Sequence, residues 1–354
     1  MKVALMVGTA KGGFLLRSDS GRGDWSVEGP LFKGWKVTAS GRDLDGGYLL
    51  ATASDVYGAA IHRSEDLVDW RQIERGPCYS EESGFKLNQI WTLTGAGDRL
   101  YAGVDEAGLF SSSDRGESWE LVRGLTDHPT RPYWFPGAGG LCAHCLLADP
   151  ANPERLWVGI SAVGVFRSED GGGSWTSLNE GVPVVIEDKD HGDIGYCVHA
   201  LAADPDDPET IWRQDHRGMF RTRDGGESWE SIQEGLPSDF GFPLVMDRRT
   251  KTLFACPLES DEYRFPTGGR LTVYRSRNGG DTWEPLTAGL PQDTAYTAVL
   301  RSSMSTDSLD PCGVYLGTTS GGVYVSNDNG DSWSALPYVF PRILSVEAFV
   351  QEPA

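Results

Sequence analysis

An all-β fold, a seven-bladed β-propeller of four-stranded antiparallel blades, is predicted for this chain by three observations. The first is a turn pattern, Ser/Thr-x-Asp/Asn-x-Gly-x-Ser/Thr-Trp, present in five clean copies. They are Ser112-Asp114-Gly116-Trp119, Ser168-Asp170-Gly172-Trp175, Thr222-Asp224-Gly226-Trp229, Ser276-Asn278-Gly280-Trp283 and Ser326-Asp328-Gly330-Trp333. The second is the period. Two worn copies, Ser18 before Trp25 and Ser64-Glu65-Asp66 before Trp70, bring the tryptophans to seven, spaced 45, 49, 56, 54, 54 and 50 residues apart. A repeat of that length is the size of one four-stranded blade. The third is continuity. The repeat runs through all 354 residues without a linker-like stretch, so residues 1–354 read as a single domain.

Taken in order, the chain starts inside a blade. Lys2 to Gly8 reads as a second strand and Gly12 to Ser18 as a third. The best-formed unit is Cys197 to Ile232. Its apolar run Cys197-Val-His-Ala-Leu-Ala-Ala is a first strand, ended by the turn-forming cluster Asp204-Pro205-Asp206-Asp207-Pro208. Thr210 to Arg213 and Gly218 to Thr222 follow as strands, Asp224-Gly225-Gly226-Glu227 as a hairpin turn, and Trp229 to Ile232 as an alternating outer strand. The unit from Cys142 to Leu178 repeats this plan, with Cys142, His144 and Asp149-Pro150 matching Cys197, His199 and Asp204-Pro205. At the far end, Arg342 to Phe349 alternates like the missing innermost strand. Its pairing with Lys2–Gly8 is expected to close the ring and remove free sheet edges.

The recurring turn has a structural rationale. Its aspartate accepts backbone N–H bonds, its glycine supplies a positive φ, and its tryptophan buries a large ring between neighbouring blades. Seven equivalent copies argue for a stabilising clip rather than a catalytic or calcium site. A net charge of −20 argues against nucleic acid or an anionic membrane as partner. No stretch approaches the roughly 20 apolar residues of a membrane span. The N-terminal apolar run is too short for a signal-peptide core, which predicts a cytoplasmic chain with its six cysteines reduced. Cys142-x-x-Cys145 lies in an apolar strand where residues three apart face opposite ways, and is read as core packing.

Strand order sorts the connections onto two ends. Asp-Pro turns and tryptophan-bearing turns share one end and are short. The long segments Arg75–Asn88, Thr126–Gly140, Pro183–Tyr196 and Cys256–Arg270 share the other, the usual plan of a binding site on a rigid scaffold. Candidate catalytic residues there are Asp190, His191, Asp215, His216, Asp261 and Glu262. Carboxylate pairs suit glycoside hydrolysis, and histidines suit acid–base work near neutral pH. Arg131, Tyr133, Trp134, Tyr263, Arg264 and Tyr296 are candidate ligand-binding residues, offering cations and sugar-stacking rings. His144, His199 and His216 would suit a divalent metal such as zinc or manganese. The alternative for the first two is buried strand histidines bonded to carbonyls.

The repeats resemble the bacterial neuraminidase, or Asp-box, repeat of the sialidase-like superfamily, which includes xyloglucan-degrading propellers, photosystem assembly factors and sorting receptors. The resemblance covers essentially the whole chain and extends to bacterial proteins labelled as sialidases or glycosyl hydrolases. It implies Asp-boxes at the outer rim, away from the ligand. Sialidases have six blades and an Arg-Ile-Pro motif before the first Asp-box. Here Tyr263-Arg264-Phe265-Pro266 lies late in the chain and only Arg17 stands in the first 17 residues, so genuine sialidase activity is not expected. Two functions remain open. One is a hydrolase or lyase acting on a glycan or other small polar molecule at the loop-rich mouth. The other is a non-catalytic ligand-binding or protein-interaction scaffold.

Overall fold

The computed structural model describes residues 1–187 and 191–352. They are almost wholly β-structure, as the repeat demands, and form repeated four-stranded antiparallel sheets of β-propeller type. By packing, the chain divides into two compact units. A terminal unit comprises Met1–Val37, Gln214–Arg221 and Ser231–Ala354; a central unit comprises Thr38–Arg213 and Thr222–Glu230.

In the terminal unit, Ile343–Gln351 pairs antiparallel with Lys2–Thr9, Ala4 facing Phe349 and Val7 facing Val346. The expected junction of the two chain ends in one sheet is therefore present. Gly12–Asp19 and Ser26–Leu31 complete that blade. A parallel bridge, Ser302 to Ser345, joins it to the blade of Val299–Thr306, Val314–Thr318, Val323–Ser326 and Ser334–Ala335. A further sheet runs Phe240–Asp247, Thr252–Leu258, Val273–Ser276, Glu284–Leu286. The inner strands Phe240–Asp247, Val299–Thr306 and Ile343–Gln351 pack side by side. Their apolar faces bury Val299, Leu316 and Phe254 in one cluster and Val3, Leu5 and Val346 in another.

The central unit repeats the plan. Gln89–Ala96, Arg99–Asp105, Gly108–Ser112 and Glu120–Leu121 form one sheet, and Ala143–Ala148, Leu156–Ile160, Gly164–Ser168 and Thr176–Ser177 the next. Apart from Ser26–Leu31, fourth strands are two or three residues long where the sequence suggested four. Each follows a tryptophan whose ring, rather than a longer ladder, fixes the outer edge.

The Asp-box hairpins show why the pattern recurs. In the copy at Ser168, the Gly172 amide donates to Ser168 Oγ at 2.8 Å, and the Ser174 amide donates to Asp170 Oδ1 at 2.8 Å. Trp175 Nε1 donates to the Gly172 carbonyl at 3.0 Å. Gly172 sits at φ 97°, and a Cβ there would lie 2.5 Å from Val122 Cγ1. The worn copies keep the same device. Asp66 Oδ1 accepts the Val68 and Asp69 amides, and Trp70 Nε1 reaches the Leu67 carbonyl.

A second periodic device escaped the sequence reading. The arginine just before a box serine or threonine pairs with the acid between glycine and Ser/Thr in the next box. Arg167 meets Glu227 at 2.8 Å, Arg221 meets Asp281 at 2.9 Å and Arg275 meets Asp331 at 2.7 Å. Arg167 Nη1 also donates to the Gly225 carbonyl at 3.2 Å, tying successive turns together.

One local expectation changes. The strand holding His144 starts at Ala143, and its register slips between Ala143 and Cys145, a bulge centred on His144. The simple alternation argued for Cys142 and Cys145 therefore fails, although both thiols remain unbridged. Cys142 Sγ faces the Gly139 carbonyl and Cys145 Sγ that of Gly159.

Candidate functional site

In antiparallel sheets of this order, the Asp-box turns and the long second-to-third-strand loops emerge at opposite ends. Each unit carries a group of candidate residues at the loop end.

In the terminal unit, His216 follows the strand Ile211–Asp215. Asp215 is fully buried, and its Oδ1 accepts the His216 amide at 2.7 Å. It thus orients its neighbour rather than facing solvent. His216 Nε2 stands 2.9 Å from Asp261 Oδ2, with the imidazole edge-on to Phe240 at 5.1 Å. The bond to His216 holds the Asp261 carboxyl below its usual range. The Asp261 loop is a tight turn. The amides of Tyr263 and Arg264 donate to Ser260 Oγ and its carbonyl, and Arg264 Nε donates to the Asp261 carbonyl at 2.9 Å. The turn presents an aromatic row. Tyr263 is 54% and Tyr296 69% exposed, with Phe265 between them at 5.8 and 5.3 Å from their ring centres. Glu262 is exposed beside it.

Glu347 was not foreseen. It stands on the inner strand opposite Met6, and burial pushes its carboxyl up to about 7. Its alternating strand reads as ordinary core in sequence, and one acid there carries no pattern.

In the central unit, Arg131, Tyr133 and Trp134 come from the short 3-10 turn Arg131–Tyr133 and the residue after it. Tyr133 is exposed and stacks on His191 at 3.7 Å. Trp134 is only 5% exposed, packed against Phe166 with Nε1 on Thr130 Oγ1 at 2.9 Å. It offers little face to a sugar. Arg131 is also buried, its guanidinium lying over Phe85 and Trp134. Asp190 lies outside the described residues.

The histidines of this unit are both buried. His144 Nε2 bonds the Val198 carbonyl at 2.8 Å, the arrangement of a strand histidine. His199 Nε2 lies 3.6 Å from Cys197 Sγ. Among the described residues, one Cys/His group has ligand atoms close enough to hold a metal ion, and Cys197 and His199 belong to it while His144 does not. Thiolate and imidazole donors together suit zinc better than manganese. A second carboxyl with an unusual environment is Asp105, pushed up to about 6 by burial and then by neighbouring Glu106.

No family model matches the chain. It is similar to an oligoxyloglucan-reducing end-specific xyloglucanase of Emericella nidulans, 24% identical over 208 residues, which are 56% of this chain and 24% of that protein. The chain thus spans about a quarter of the length of that relative. Among solved structures it resembles an ancestral GH74 enzyme, with TM-score 0.57 and 16% identity, covering 85% of this chain and 38% of the other. It also resembles YCF48 bound to D1 peptide, with TM-score 0.54 and 14% identity, covering 87% and 85%. These likenesses define the class as a β-propeller fold, shared with xyloglucanases among others.

Proposed function

We propose that the chain binds a glycan at the loop end of its terminal unit and acts there as a glycoside hydrolase. The observation that carries the reading is the exposed row Tyr263, Phe265 and Tyr296 beside the His216–Asp261 pair. Flat, half-exposed rings are suited to sugar faces, and a bonded carboxylate held ionised is suited to the base or nucleophile role. Glycoside hydrolysis also needs a carboxyl that keeps its proton near neutral pH, and Glu347 is the acid of this unit with that property. Similarity to xyloglucanases supports a β-glucan-type substrate, with xyloglucan oligosaccharides as the natural probe.

The experiment incubates the full chain with xyloglucan oligosaccharides and follows both binding and release of reducing ends. Tyr263→Ala/Tyr296→Ala is expected to weaken binding about tenfold or more. Glu347→Gln and Asp261→Asn are expected to keep binding and lower turnover by about 100-fold or more. Absence of both binding and turnover in the wild type contradicts the proposal.

A specific observation favours the second reading, a non-catalytic ligand scaffold. Asp261, the carboxyl bonded beside the aromatic row, is held below its usual range and so is not poised to donate a proton. Binding without turnover would select it. Metal analysis of the wild type and of His199→Ala tests whether zinc or manganese belongs to Cys197 and His199. Stoichiometric metal lost in the variant supports a metal-assisted form of the proposal.

A further inference from the structure

The central unit holds a charged group whose hydrogen-bonding capacity the fold leaves unused. Arg131 is 9% exposed, and its Nε and Nη2 are shut off from solvent without a hydrogen-bond partner. These two atoms form one edge of the guanidinium, the edge that grips two oxygens side by side. Its faces are occupied, with Phe85 at 4.4 Å and Trp134 at 5.1 Å from the guanidinium carbon. Burial lowers the Arg131 pKa, opposed by the nearby Tyr79 and Glu106. A buried cation whose N–H groups are unpaired costs several kcal/mol of desolvation, so a fold that keeps one invites a partner for it.

The surroundings form a built site. Arg131 lines a cleft of about 450 Å³ together with Phe85, Thr126, Asp127, His128 and Trp134. Its position is fixed by the 3-10 turn and by its amide, which donates to the His128 carbonyl at 2.8 Å. The Trp134 ring is pinned through Thr130 Oγ1, itself 2.8 Å from His128 Nδ1. Phe85, whose ring covers one face of the guanidinium, is only partly buried and follows the turn Glu81–Ser83 and the left-handed Gly84.

We infer that the Arg131 cleft is a binding site for a small organic carboxylate, and specifically for a sugar acid, gripped through Nε and Nη2. A planar two-oxygen group matches the fork. Glu106 near the guanidinium and Asp127 in the cleft lining repel a doubly charged phosphate more than a singly charged carboxylate. Aromatic walls beside threonine, histidine and aspartate suit a ring with an apolar face and hydroxyl edges. The site belongs to the central unit and stands or falls separately from the glycan site of the terminal unit.

The test titrates the full chain with D-glucuronate, D-glucose and inorganic phosphate by calorimetry, using the wild type, Arg131→Lys and Arg131→Gln. Glucuronate is expected to bind the wild type, and glucose to fail at about tenfold higher concentration. Phosphate is expected to bind more weakly than glucuronate. Arg131→Lys, which keeps the charge and loses the fork, is expected to weaken glucuronate binding at least about tenfold. Circular dichroism confirms which variants fold, and Phe85→Leu, which leaves the guanidinium in place, is expected to retain binding. No glucuronate binding to the wild type, equal binding of glucose, tighter binding of phosphate, or unchanged affinity in a folded Arg131→Lys each overturns the inference. Loss of xyloglucan binding in Tyr263→Ala/Tyr296→Ala with glucuronate binding intact would separate the two sites.

Discussion

The two ends of the blades are built on opposite principles. At the Asp-box end every turn repeats, and its polar atoms are mostly paired, Arg22 Nε being an exception. Ser168, Asp170, Gly172 and Trp175 exchange six hydrogen bonds among themselves and Ser174, and Arg167 ties the turn to the next box. At the loop end nothing repeats. Asp105 there is shifted upward while Asp261 is held low, rings stand exposed, as at Tyr296, and a buried guanidinium edge is unpaired, as at Arg131. Glu347, mid-way along the inner strand, is also shifted upward. Saturated and repetitive polar chemistry marks stability, whereas unsaturated and irregular chemistry marks function.

The sharpest way to break this contrast is at the buried ion pair of the repeat end. Arg22 meets Asp307 at 3.1 Å with side chains 4% and 0% exposed, and Tyr315 donates to the same carboxylate at 2.6 Å. Asp307→Ala leaves a buried cation unpaired and is expected to cost about 3–5 kcal/mol in urea unfolding. The double change Arg22→Met/Asp307→Leu is expected to recover only part of it, because the Leu309 and Gly313 amides and the Tyr315 hydroxyl still lose their acceptor. Next in size is Gly172→Ala, where positive φ and the close Val122 contact predict a loss of about 1–3 kcal/mol. A loop-end Gly192→Ala, where a Cβ meets nothing within 4 Å, is expected to fall within about 0.5 kcal/mol of wild type.

Carboxyls that are held low and carboxyls that are pushed up respond to pH with opposite sign. Asp66 is held low by the Asp69 and Val68 amides, and Asp170 by the Ser174 amide and hydroxyl. A lowered native value gives stability that is present above the unfolded carboxyl value near 4 and is lost as pH falls below it. Glu347 and Asp105 are raised, so the stability tied to them is complete below pH of about 4 and is lost as pH climbs through about 7 and about 6. Thermal midpoints measured across pH are expected to rise from acid to about 4, then lose ground towards 7. Glu347→Gln and Asp105→Asn should flatten only the second limb. A small effect is also expected from the arginine ladder, whose acids are exposed. Arg167→Ala, facing the 58%-exposed Glu227, is expected to cost under about 1 kcal/mol.

How much was legible in sequence follows the same divide. The blade plan, the Asp-box turns and the pairing of Ile343–Gln351 with Lys2–Thr9 were readable, because each rests on a local pattern repeated many times. The arginine ladder was equally periodic but spans two repeats, so it does not appear within any one copy. At the loop end, sequence brought forward His216 and Asp261, which the structure joins at 2.9 Å, yet it gave no hint that Trp134 is core or that Asp215 is wholly buried. Loop residues have no period to betray their facing. Glu347 and Phe85 were passed over because a carboxyl's environment, and a ring's position over a guanidinium, depend on neighbours distant in the chain.

The division of labour between the ends is tested most directly around the sheet Phe240–Leu286, whose loop carries Tyr263 beside Tyr296 from the segment leading into the next sheet. Binding of xyloglucan oligosaccharides is compared for Tyr263→Ala/Tyr296→Ala at its loop end and Ser276→Ala in its Asp-box, with stability measured alongside. Loss of binding with wild-type stability in the first, and loss of stability with wild-type binding in the second, is the predicted result. The reverse assignment, or equal binding in both, would contradict it.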